Sequence, residues 1–87
     1  MKKNITLHID CAKTKTPAQV HAAIAHQLHF PDYYGANLDA LQDCLGDTLI
    51  EHTISLSWHD TAQSLAMKSL QEIHSVLNEA LGKKKYD

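Results

Sequence analysis

Arginine is absent from this 87-residue chain, and between Thr16 and Met67 there is no lysine either. Nucleic-acid binding needs a basic footprint with cationic side chains that reach phosphates or base edges, so the sequence argues against that class. No segment reaches the roughly 18–20 consecutive apolar residues of a membrane span. The start, Met1 to His8, alternates apolar with polar residues and lacks the continuous apolar core of a signal peptide, which predicts a cytoplasmic protein. Cys11 and Cys44 form neither a CxxC pair nor a Cys/His zinc spacing. In a reducing compartment they are expected as free, half-buried thiols. A glycine-rich phosphate loop is missing, and no Ser/His/Asp or Cys/His set has a recognisable local context. Nothing here predicts an enzyme.

What is present suffices for one core. Apolar residues make up 44% of the chain, too many for disorder. At this length the expectation is a single domain over residues 1–87, with residues 82–87 a solvated tail. Net charge is only −2, but it is unevenly placed. Asp32, Asp39, Asp43, Asp47, Glu51 and Asp60 all fall in the stretch without bases, while residues 1–15 carry +3 and residues 68–87 carry +1. Such an acidic middle suits a basic partner, whose encounter it would steer.

Two alternating runs mark strands. In residues 4–9, Ile5, Leu7 and Ile9 share a face, and in residues 53–58, Ile54, Leu56 and Trp58 do the same. The forty mostly helical residues between them imply a parallel pair joined by a crossover. Thr16-Pro17-Ala18-Gln19 reads as a capping box with proline at the first helical position, and Val20, Ala23, Ile24 and Leu28 form that helix's buried stripe. Asp60 with Gln63 opens a short helix through about Met67. Ser69-Leu70-Gln71-Glu72 reads as a further capping box, starting a helix that Gly82 closes. The predicted fold class is α/β: a short parallel sheet of two strands, with at most a stub of a third, packed with three to four helices.

The most informative stretch runs from Phe30 to Leu45. Pro31 holds Phe30 extended and stops the preceding helix. Gly35 marks a point where positive φ or close backbone approach is cheap. Asn37 is a good N-cap, and Leu38, Leu41 and Leu45 then recur on one apolar stripe. Asp39 and Asp43, four residues apart, share another face, with Gly46 placed to cap the helix C-terminus. The helix dipole favours an acid in the first turn, which accounts for Asp39 better than for Asp43.

Pro31-Asp32-Tyr33-Tyr34-Gly35, Asn37-Leu38-Asp39-Ala40-Leu41 and Asp43-Cys44-Leu45 resemble the barstar family of intracellular ribonuclease inhibitors. The close match covers about sixteen residues, from Phe30 to Leu45; elsewhere the likeness lies in length and element order. The resemblance implies a partner-binding surface of Tyr33, Tyr34, Gly35, Asn37, Leu38, Asp39, Gln42 and Asp43, with Val76 and Glu79 added from the last helix. By the same resemblance, Asp43 would enter the enzyme's phosphate-binding site and Asp39 would pair with basic residues beside it. Gln42 and Thr48 stand where the family carries tryptophans, which points to a ribonuclease or toxin domain with a different cleft rim. The family also closes its sheet with a third strand, for which only five residues remain after Gly82.

The resemblance implies a cytoplasmic immunity-type inhibitor, as in toxin–antitoxin pairs: a monomer that binds one cognate ribonuclease as a 1:1 heterodimer, without a cofactor. Two other readings stay open. One is a small regulatory domain whose acidic helix binds a basic partner that is not a nuclease. The other is a metal carrier built on the seven histidines, of which His26 and His29 are close enough to meet but lack a third ligand at a suitable spacing. No metal site is therefore predicted.

Overall fold

The computed structural model describes residues 2–82, in the order β1 (Lys3–Asp10), α1 (Pro17–Leu28), α2 (Leu38–Glu51), β2 (His52–His59), α3 (Ala62–Leu65) and α4 (Lys68–Gly82). β1 and β2 form a two-stranded parallel sheet, in a register that sets Ile5 beside Ile54, Leu7 beside Leu56 and Ile9 beside Trp58. Because side chains alternate across a strand, these six share one face. Leu7 and Ile9 are buried there, whereas Asn4, Thr6, His8, Ser55 and His59 are exposed on the opposite face. Each strand extends one residue beyond both ends of its alternating run. Lys83–Asp87, and with them any stub of a third strand, lie outside the described residues.

The helices bury their apolar stripes against the sheet and against one another. α4 packs on α1, α2, α3 and β2, so its Leu70, Ile73 and Leu77 lie at the centre of the core. Val20, Ile24 and Leu28 enter from α1, and Leu41 and Leu45 from α2. Each fully buried aliphatic side chain of this kind contributes about 1.5–3 kcal/mol. β1's outer edge is occupied: the Gln27 side chain accepts from the His8 amide at 2.9 Å and donates to the His8 carbonyl at 2.8 Å.

Four local expectations are corrected. Thr16 does cap α1, accepting from the Gln19 amide, but the Gln19 side chain accepts from the amide of Lys15 rather than closing the box on Thr16. The short helix is capped by Thr61, not Asp60: Thr61 and Ser64 form the reciprocal pair, and Asp60 instead accepts from Trp58, Ser64 and Gln71. α4 begins at Lys68, which puts Ser69 inside the first turn, where it cannot be the N-cap. Gly46 does not end α2. The helix continues to Glu51, because burial of Leu41 and Leu45 and partial burial of Thr48 and Leu49 outweigh the ~1 kcal/mol cost of an internal glycine.

A candidate partner-binding surface on α2 and its leading loop

The loop before α2 is fixed at both ends. α1 ends with His29 in the left-handed region at φ 59°, and the Phe30 amide closes back on the Ala25 carbonyl. A turn brings the Tyr34 amide to the Pro31 carbonyl at 3.0 Å. Tyr34 then turns inward. Its ring meets Phe30 edge-on with centroids 5.0 Å apart, and its hydroxyl lies 2.6 Å from Nδ1 of the buried His21. Burial pushes the Tyr34 hydroxyl up to about 12, with a smaller push from Cys44, and holds His21 below its ordinary value. Tyr33 turns outward and is 86% exposed. Of the two tyrosines, one packs on the first helix and the other faces solvent, a distinction their adjacent positions in sequence could not make.

Gly35 is exposed and supplies close approach rather than positive φ. A Cβ there would lie 3.1 Å from Asn37 Nδ2, while the left-handed residue of the loop is Ala36, at φ 53°. For an alanine that conformation costs about 1–2 kcal/mol. Asn37, exposed, caps α2 as expected, with its side-chain oxygen accepting from the Ala40 amide at 2.8 Å. Leu38 is half-buried against the core.

Once Gly46 is helical, the acidic face changes. Asp39, Asp43, Asp47 and Glu51 follow one another at intervals of four, and all four are exposed. At that spacing neighbouring Cβ atoms stand about 5–6 Å apart, so each like-charged pair costs an isolated helix about 0.2–0.5 kcal/mol. The sequence places Asp47 and Glu51 in the acidic middle but not on this face, because Gly46 reads as a helix end; the spacing of four, continued past it, joins them to Asp39 and Asp43. Gln42 is exposed on α2. Val76 and Glu79 belong to α4, which packs on α2; Val76 is half-buried against the core and Glu79 is exposed.

Beside the acid row a groove of about 430 Å³ separates α2 from the loop. Ile5, Leu28 and Phe30 lie along it; Asp43, Asp47 and Glu51 border it on the helix side, and His29, Pro31 and Tyr33 on the loop side. Cys44 also lines it. Burial raises that thiol's pKa, and the Asp47 and Asp43 charges raise it further, which disfavours the nucleophilic thiolate. Val76 and Glu79 do not reach this groove.

The other features are structural. Cys11 is buried and free, and burial raises its pKa despite a hydrogen bond with Ser64. Trp58 stacks on His74 with centroids 4.3 Å apart. Among the described residues, no three His, Cys, Asp or Glu side chains are placed to hold a metal ion, and no helix is long and apolar enough to cross a membrane.

This architecture defines a small α/β domain whose two-stranded parallel sheet carries a capped, acid-faced helix and an aromatic loop. Residues 4–85 match the family described as Barstar (barnase inhibitor), and the chain belongs to the Barstar family. It is also 38% identical over 52 residues to a Bacillus subtilis (strain 168) protein named "Putative ribonuclease inhibitor YrdF". That match covers 60% of this chain and 46% of the relative, so the chain spans about half of that relative's length.

Proposed function

We propose that this protein inhibits a ribonuclease by filling its active-site cleft with the acidic face of α2 and the loop before it. The observation that carries this reading is the exposed row of Asp39 and Asp43 on a capped helix beside Tyr33, in a chain of the Barstar family. An enzyme that cleaves RNA must gather positive charge around phosphates. Carboxylates fixed on a helix can take those phosphate positions and accept charge-assisted hydrogen bonds from arginine, lysine and histidine. Tyr33 adds exposed aromatic area with a polar tip, the residue type enriched at interface hot spots.

In this reading Asp43 takes the phosphate position and Asp39 meets the bases beside it. Tyr34, Gly35, Asn37 and Leu38 hold the loop and helix start in place, and Gln42, Val76 and Glu79 form the rim. The protein acts in the cytoplasm as a non-catalytic monomer, forming a 1:1 complex with a cognate ribonuclease or ribonuclease toxin. It needs no cofactor or metal and binds neither nucleic acid nor membrane. Gln42 and Thr48 supply no aromatic contact, so the target has a cleft rim different from one that grips tryptophans.

The test is RNA cleavage by a panel of microbial ribonucleases, barnase included, and by the product of the neighbouring gene, with and without this protein. Stoichiometric inhibition that Asp43→Ala abolishes supports the reading. If the folded protein inhibits no ribonuclease, the reading fails, and the acidic face belongs to a basic partner that is not a nuclease.

A further inference from the structure

We propose that the groove between α2 and the 29–34 loop is a slot for an arginine side chain of the partner, in addition to the contacts of Asp39 and Asp43. This deepens the ribonuclease-inhibitor reading and rests on it. The groove is amphipathic in a way that matches arginine. Along it lie the buried Leu28 and the half-buried Phe30. One border carries the exposed carboxylates of Asp43, Asp47 and Glu51, and the other the exposed ring of Tyr33. An arginine stem covers apolar surface while its head stays at a polar rim. The planar guanidinium can then engage carboxylates through paired hydrogen bonds and lie against an aromatic face.

The groove's shape follows from this chain's own residues. Thr48 lines it, but its hydroxyl donates back to the Cys44 carbonyl at 2.9 Å, so the short side chain leaves the slot open. Asp47 and Glu51 reach the slot only because α2 runs on through Gly46 to Glu51, which adds two more carboxylates to the acidic face. A volume of about 430 Å³ exceeds what one arginine side chain fills, leaving room for the backbone that carries it. Anionic ligands are disfavoured by three neighbouring carboxylates. Lysine has the charge but not the planar fork that several carboxylates and a ring can share.

The test uses Nα-acetyl-argininamide as the probe, titrated into 15N-labelled protein, with the uncharged citrulline analogue as control. Saturable shifts are expected at the amides of Tyr33, Cys44, Asp47 and Thr48 with the arginine probe alone. The double variant Asp47→Asn/Glu51→Gln should weaken that binding at least fivefold while its spectrum stays folded. Equal shifts with citrulline, shifts spread over the whole surface, or unchanged binding in the double variant would overturn the slot. The two readings fail separately. A ribonuclease inhibited equally well by wild type and double variant removes the slot and leaves the inhibitor. Arginine bound in the groove while no ribonuclease is inhibited removes the inhibitor and leaves a slot for another basic protein.

Discussion

The Tyr34 hydroxyl lies 2.6 Å from Nδ1 of His21, which ties the loop before the acidic helix to the buried face of α1. Burial desolvates both groups there, raising the pKa of Tyr34 and lowering that of His21. The contact holds Tyr34 inside while its neighbour Tyr33 points out. Removing the hydroxyl with Tyr34→Phe leaves the histidine nitrogen unpaired and should cost about 1 kcal/mol, or roughly 4–8 °C in melting temperature. Calorimetry checks this; an unchanged melting temperature would mean the contact does not stabilise the loop.

The same pair predicts a pH dependence. The unfolded chain's histidine titrates at its ordinary 6.5, while burial lowers the folded value. Below 6.5 the unfolded state therefore binds the proton more readily, so this contribution to stability is present above that pH and is lost as pH falls through the folded value. Melting temperatures recorded from about pH 7.5 down to about pH 5.5 should fall, and fall less in His21→Gln.

Asp43 should show opposite effects on folding and binding. Asp43→Asn relieves like-charge repulsion from Asp39 and Asp47, so the free protein should melt no lower than wild type, and slightly higher at low salt. Affinity for the inhibited ribonuclease should drop by about 2 kcal/mol or more, some thirtyfold, as for an interface hot spot. A matched loss of stability and affinity would instead make Asp43 a structural residue.

Gly46 lies inside α2 with no atom within 4 Å of where a Cβ would stand, and its φ is not positive. Gly46→Ala should therefore stabilise the protein by about 0.5–1 kcal/mol in chemical denaturation. Destabilisation would indicate that the helix breaks there after all.

Association with a ribonuclease should slow steeply as ionic strength rises, because screening shortens the reach of the acidic face. Stopped-flow rates across a salt series test this, and a flat series would count against steering by α2.

Much of the fold was legible because its signals are local. Alternation alone marked both strands, and Thr16 and Asn37 cap their helices as their side chains predict. What escaped depended on packing. A glycine reads as a stop until the buried leucines around it are known, and that misreading hid the second half of the acid row. Seven histidines look alike in sequence; only the fold sets His21 apart by burying it against Tyr34. The Thr16 capping box failed because Gln19 found another partner at Lys15, and the Ser69 box because α4 starts one residue before it. Within the candidate surface, the motif from Tyr33 to Asp43 was visible from its wording, whereas the groove, which needs α1, the loop and α2 together, was not.

α2 ends at Glu51 and β2 begins at His52, so no linker separates the acidic helix from the sheet. The helix cannot swing without dragging a strand whose partner is itself clamped by Gln27. A face held this stiffly loses little freedom on docking, and little conformational entropy opposes the complex. The benefit would appear as residence time: a partner, once seated, would leave slowly because the helix cannot peel away piecemeal.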